Sequence, residues 1–179
     1  MTLPPDLELR SPAPGDERAI AALVAACDET YRAWTPPGWE PPAPGLELDR
    51  WRGRITDGSW WTRIAVEPGG RVVGLICFTQ AVVMTRVEGE SRAGEPIPQR
   101  AHVSAVFTHP ARWREGIADA LLAVAEEQMR AEGYREVQLW TPRDAPARHF
   151  YDASGWRHDG REQWNEELGL ALVAYLKQL

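Results

Sequence analysis

The 179-residue chain has only two cysteines, Cys27 and Cys77. Two are too few for a disulfide framework, and their spacing is neither CxxC nor that of a metal-ligand set. Each stands in an apolar run, which reads as a buried free thiol. The four histidines, His102, His109, His149 and His158, are too scattered to argue for a metal site. Lysine is scarcer still. Of 20 basic residues only Lys177 is a lysine, against 26 acidic residues and a formal net charge of -6. That balance excludes a general nucleic-acid or membrane-surface binder, which needs a basic stripe. No apolar run reaches the ~18 residues of a membrane span. Met1 to Arg10 carries Pro4, Pro5, Asp6 and Glu8 where a signal peptide needs a basic and then an apolar stretch. The expectation is a soluble cytoplasmic protein without metal, nucleic-acid or membrane partners.

What is present is ordinary globular composition, 44% hydrophobic and 26% charged, with nine tryptophans. A chain of this length buries roughly 70% of its unfolded surface, enough for one domain spanning 1–179. Leu7 to Arg10 alternates as a strand. Asp16 reads as the N-cap of a helix carrying Ile20, Leu23, Val24 and Cys27 to about Tyr31. Five prolines between Pro36 and Pro44 mark a stiff loop. A shorter helix follows over Leu46 to Ile55. Trp60–Val66 and Arg71–Phe78 read as a hairpin around Glu67-Pro68-Gly69-Gly70, with the second strand open to extension as far as Met84. Thr85 to Pro98, with Gly89, Gly94, Pro96 and Pro98, reads as a mobile loop. Then come a strand over Ala101–Thr108, a helix over Gly116–Glu132 closed by Gly133, a strand over Glu136–Thr141, a short helix from Pro146 to about Ser154, and strands over Trp156–Trp164 and Gly169–Leu179. The periodicity of Leu168 to Leu176 also fits a helix. This order belongs to a mixed α/β class with one central sheet.

The informative window is 101–156. A strand, a proline turn and a glycine leading into a helix form a ready anion site, because the first helical N–H groups are unpaired and the dipole is positive there. Arg112 and Arg114 could add positive charge at this turn. The segment His109-Pro110-Ala111-Arg112-Trp113-Arg114-Glu115-Gly116-Ile117-Ala118 resembles the acyl-CoA-binding turn of the GNAT superfamily of N-acetyltransferases. Gly116 and Ala118 match its Gln/Arg-x-x-Gly-x-Gly/Ala pattern, while Trp113 stands where Gln or Arg is usual. A second block, Asp144-Ala145-Pro146-Ala147-Arg148-His149-Phe150-Tyr151 through Gly155-Trp156, is similar to that family's Asn-x-x-Ala-x-x-Phe-Tyr…Gly-Phe segment. Asp144 replaces the frequent Asn and Trp156 the frequent Phe.

The resemblance implies a GNAT-like acyl-CoA N-acyltransferase fold, a six- or seven-stranded mixed sheet flanked by helices. It implies direct transfer of an acetyl group from acetyl-CoA to a primary amine in a ternary complex. Val106, Phe107, Thr108, Trp113 to Ala118, Asp144, Ala147 and Phe150 would then hold the cofactor, with the backbone of Val106 and Thr108 bonding the pantetheine amides. Tyr151 would be the general acid that protonates the departing thiolate. His102 stands where some members carry a glutamate base, and a histidine has a suitable pKa for that task. Asp28, Glu29 and Glu40 are the alternative bases. The acceptor would meet the early segment, where Tyr31, Trp34 and Trp39 lie among carboxylates and suit a cationic amine. The resemblance is compatible with a homodimer. A non-catalytic acyl-CoA-binding regulatory module on the same fold remains the alternative reading.

Overall fold

In a computed structural model, which describes residues 2–87 and 90–179, the chain forms one seven-stranded sheet with four helices. The elements are β1 (Glu8–Arg10), α1 (Glu17–Glu29), α2 (Pro44–Thr56), β2 (Trp61–Val66), β3 (Val72–Val87), β4 (Glu90–Thr108), α3 (Ile117–Ala131), β5 (Glu136–Pro142), α4 (Ala147–Ala153), β6 (Arg157–Asn165) and β7 (Leu170–Gln178). The strand order is β1-β2-β3-β4-β5-β7-β6. Every pair is antiparallel except β4–β5, which is parallel and pairs only from Arg100–Val103 to Glu136–Leu139.

The two faces of β3 show how the layers assemble. Leu75 and Cys77 point into a core with Ile20, Leu23 and Val24 of α1 and Trp51 of α2. Ile76 and Phe78 point the other way, into a core with Ile117, Leu121 and Met129 of α3 and Tyr151 of α4. This period-two alternation of wholly apolar side chains is that of a strand buried on both faces. Gly74 faces α3, and a Cβ there would lie 2.8 Å from the Ile117 Cγ2 and 3.1 Å from the Leu121 Cδ1. The missing side chain lets α3 settle directly on the strand, which places the N-terminus of α3 beside the end of β4.

Three sequence expectations change, and the last segment follows the strand reading over the helical one. Residues 85–87 and 90–98 are paired strand rather than loop: Val82 pairs with Pro96, Met84 with Ala93 and Val87 with Glu90, with register shifts on the way. The prolines sit on this irregular extension, where missing ladder donors are tolerated. Gly89 lies outside the described residues. The last segment is a strand, because β7 lies between β5 and β6 and is buried on both faces, so its apolar run carries no clean alternation. Asp16 stands at the N-terminal position of α1 but makes no cap; its carboxylate accepts from Arg10 at 2.7 and 2.9 Å and from the Ala13 N–H at 2.7 Å. The first helix stops at Glu29 and tightens into a 3₁₀ turn, Thr30–Ala33.

Candidate active site

Past Val103, β4 stays with β3 while β5 leaves with β7. The gap between them is a cleft of about 700 Å³, walled by Val103–Phe107, Leu139–Pro142, Tyr31, Trp34, Trp113 and Tyr151. The His109 N–H donates to the Val73 carbonyl at 2.9 Å, and the β3–β4 register is unbroken from there to Ala105. Antiparallel alternation therefore turns the peptide groups of Val106 and Thr108 away from β3, toward the cleft side. The Thr108 carbonyl already accepts from the Trp113 indole at 2.8 Å and the Cys27 thiol at 3.3 Å. The Val106 peptide has no such protein partner among the described residues. The side chain of Phe107 lines the cleft, whereas its backbone faces β3.

At the head of α3 the chain turns through left-handed conformations at Arg114 (φ 67°) and Gly116 (φ 77°). Glycine takes this region at no steric cost, whereas arginine does not. Among the described residues no acceptor meets the N–H groups of residues 114–119; the first paired donor is Ala120, which bonds the Gly116 carbonyl at 3.0 Å. Six successive free donors, with the helix dipole behind them, make an anion cradle. Glu115, Ile117 and Ala118 contribute to it through their backbone.

The arginines around this cradle differ from the sequence expectation. Arg112 is neutralised by Glu67 at 2.7 Å, Glu115 at 2.7 Å and Asp6 at 2.9 Å. Arg71, and then Arg112, hold the Glu67 carboxyl down at about 2. Arg148 donates to the Arg143 carbonyl at 2.7 Å and the Tyr175 hydroxyl at 3.1 Å. Arg114 is exposed and makes no ion pair among the described residues. Asp144 is exposed, 3.8 Å from Arg143 and outside the cleft wall, whereas Ala147 lines the cleft.

Tyr151 is buried in α4, with ring centroids of Phe150 at 5.5 Å, Tyr175 at 5.7 Å and Trp156 at 6.0 Å around it. Phe150 thus packs Tyr151 rather than lining the cleft. No group among the described residues hydrogen-bonds the Tyr151 hydroxyl. Burial pushes its pKa up to about 12, so the phenol is protonated at neutral pH.

A second cavity of about 410 Å³ adjoins the cleft, sharing Tyr31, Ala105, Phe107 and Trp140 as walls. His102 opens here and not into the cleft. Burial pushes its pKa down to about 4, its ring hydrogen-bonds the Gln138 backbone, and its Nδ1 is buried without a partner. Asp28 lies in the same cavity. Burial, and then the Glu47 charge, pushes its carboxyl up to about 6. Tyr31 is pushed up by burial first and then by Asp28, and it lines both the cleft that holds Tyr151 and the cavity that holds Asp28. Trp34 packs against Tyr31 with ring centroids 4.7 Å apart and planes tilted by 46°. Trp39 lies outside both cavities: its ring is 5.9 Å from Tyr31 and its indole donates to the Leu168 carbonyl at 2.7 Å, tying the proline-rich loop to the β6–β7 connection. Glu29 lines the cleft as an exposed residue, and Glu40 pairs with Arg32 at 2.6 Å.

Sequence reasoning missed the arginines of α2. Glu47, Arg50, Trp51 and Arg54 follow i, i+3, i+4, i+7 spacing, which puts all four on one helix face, here the cavity wall. The Trp51 indole donates to Glu47 at 2.9 Å, and Arg50 pairs with both Glu47 and Glu167. Among the described residues no cluster of three His, Cys, Asp or Glu side chains could hold a metal, both cysteines are buried and free, and no helix is long and apolar enough to cross a membrane.

A mixed seven-stranded sheet opened between two parallel strands, with a donor-rich turn at the mouth of the opening, defines the acyl-CoA N-acyltransferase fold. Solved structures share it. The PaiA N-acetyltransferase from Thermoplasma acidophilum, in complex with coenzyme A, superposes with a TM-score of 0.71 at 14% identity, over 97% of this chain and 99% of that one. An acetyltransferase of the GNAT family from Staphylococcus aureus Mu50 gives 0.69 at 12% identity, over 97% and 99%. An acetyltransferase from Thermus thermophilus gives 0.63 at 19% identity, over 97% of each chain. Comparison with curated proteins gave no significant match. The family model of the acetyltransferase (GNAT) family matches residues 24–156, and the chain belongs to that family.

Proposed function

We propose that the protein is an N-acetyltransferase that moves the acetyl group of acetyl-CoA directly to the primary amine of a small-molecule or peptide acceptor. The observation that carries this reading is that the free Val106 peptide, Tyr151 and Trp113 line one cleft, and that the anion cradle at residues 114–119 follows directly on Trp113. The cradle suits the pyrophosphate, with Arg114 as its nearest free cation. The Val106 peptide suits a pantetheine amide, because an extended arm can pair with exposed strand backbone. Acetyl-CoA supplies the activated acyl carbon as a thioester.

The amine must lose its positive charge before its lone pair attacks. A nitrogen–carbon bond then forms as the carbon–sulfur bond breaks. The amine proton passes to a base and the Tyr151 phenol returns one to the thiolate. Two groups are placed to serve as base. His102 is neutral at physiological pH but weakly basic at about 4. Asp28, at about 6, has the better-matched basicity, and its charge acts on Tyr31, which lines the cleft with Tyr151. Asp28 is therefore the preferred base, reached directly or through water.

Thiol release across a panel of amines tests the proposal, with Tyr151→Phe as control. The expected result is amine-dependent release of CoA. A protein that binds acetyl-CoA but releases no thiol with any amine would instead be an acyl-CoA-binding regulatory module.

A further inference from the structure

The second cavity, beside the cleft, is lined by five charged side chains, and three of them satisfy one another. Arg50 bridges Glu47 and Glu167, and Trp51 adds its indole N–H to Glu47. Two remain. Asp28 makes no hydrogen bond or ion pair among the described residues, and neither does Arg54. The Arg54 guanidinium is held flat by two indoles, with its carbon 4.7 Å from the Trp51 ring centroid and 4.4 Å from that of Trp60. Stacking fixes the plane of a guanidinium but leaves its in-plane N–H donors unused. The surroundings are already desolvated, since burial pulls the Arg54 pKa below its usual value. Its charge reaches His102 and Cys77 on β4 and β3, whereas the charges that act most on Asp28, after burial, are Glu47 and Arg50. The unpaired cation and the unpaired anion thus line one cavity, on different helices, Asp28 on α1 and Arg54 on α2.

We propose that Arg54 is a carboxylate-binding subsite, and that the acceptor is an amine that also carries a carboxylate, of the amino-acid class. The ammonium goes to Asp28, beside Tyr31 and the cleft, and the carboxylate to the free edge of the Arg54 guanidinium. A zwitterion satisfies both groups at once. A simple amine or polyamine satisfies Asp28 and leaves the half-buried Arg54 without an anionic partner. A preoriented, desolvated guanidinium is also the donor that planar carboxylates match in two-point geometry. His102 stays neutral beside it, which keeps a second positive charge off the same wall. This inference rests on the transferase reading for what happens to the amine, but not for the binding itself.

The test therefore starts from binding. Calorimetric titration of amino acids into the protein saturated with CoA is compared with the matching amino-acid amides and decarboxylated amines. The free carboxylate is expected to improve affinity about 10- to 100-fold over the amide, as a two-point charged hydrogen bond does in a desolvated site. Arg54→Gln is expected to collapse that ratio toward one, and Arg54→Lys to restore it only in part, because an ammonium lacks the flat two-point edge. CoA affinity, measured on the same variants, reports whether they fold. Equal binding of acids and amides, a ratio unmoved by Arg54→Gln, or no binding of any member of the panel would overturn the proposal. Thiol release on the same panel separates the two readings. Carboxylate-selective binding without turnover would sink the transferase reading alone, and turnover without carboxylate preference would sink the subsite alone.

Discussion

The indole N–H of Trp113 points at the Thr108 carbonyl, 2.8 Å away, and so ties the turn before α3 to the last residue of β4. The ring itself is 52% exposed and touches the cleft rather than the core. The indole also occupies the carbonyl that a pantetheine amide would otherwise bond, leaving Val106 as the free peptide. Trp113→Ala should therefore loosen the cradle without unfolding the domain. Loss of one net hydrogen bond is worth about 1 kcal/mol, so CoA affinity should fall roughly fivefold by calorimetry, with a melting temperature within a few degrees of the parent. Unchanged affinity would mean that Arg114 and Gly116 set the turn's shape by themselves.

Tyr151→Phe keeps the ring that packs against Phe150, Trp156 and Tyr175 and removes only the hydroxyl. Among the described residues that hydroxyl has no hydrogen-bond partner to strand. Stability and acetyl-CoA binding should barely move, while kcat should fall about 100-fold or more if the phenol supplies the proton to sulfur. Equal losses in kcat and in acetyl-CoA affinity would assign Tyr151 to packing.

What was readable in the sequence is local. Gly116 before an amphipathic helix and Pro110 after a strand describe a donor-rich turn whatever surrounds them. Tyr151 is found through the block it shares with Ala147 and Phe150. What escaped is set by residues far apart in the chain. Arg112 looked like a free cation because Asp6 and Glu67, which neutralise it, come from other elements. His102 has a suitable pKa as an isolated residue, and only burial between strands moves it to about 4. The α2 face of Glu47, Arg50, Trp51 and Arg54 was visible as a helical spacing. Its meaning depends on Glu167, which the β6–β7 connection brings across the cavity. The strand pairing of residues 85–87 with 90–98 was hidden because it tolerates proline and glycine at irregular positions that local propensity reads as loop.

The single lysine has a specific use. Lys177 reaches the buried Glu126 of α3 at 2.6 Å, and the next cation, Arg130, is 3.4 Å away. Lys177→Met leaves that carboxylate with one long contact and should destabilise the fold by about 1–3 kcal/mol, lowering the melting temperature by several degrees. Adding Glu126→Gln should recover part of the loss, because no buried charge is then left unpaired. A double variant no more stable than Lys177→Met would show that the lysine acts through packing of its stem.

Asp28 gives a pH signature in both stability and rate. Its carboxyl titrates at about 6 in the folded chain against 3.8 for an ordinary aspartate, because burial and Glu47 disfavour the charged form. The fold therefore binds this proton more tightly than the unfolded chain does. The resulting stability is fully present below pH 3.8 and is lost as pH rises through about 6. Above that, the buried carboxylate costs the fold of order 2–3 kcal/mol. Asp28→Asn, which is neutral throughout, should gain stability over the parent as pH rises from 5 to 8, read from urea unfolding at each pH. Activity should move oppositely. The deprotonated carboxylate is the base, so kcat/KM of the parent should climb with pH through about 6, and Asp28→Asn should lose both that limb and most of the rate. A variant that gains stability while keeping the climb would leave His102 as the base, and His102→Asn would then have to remove it.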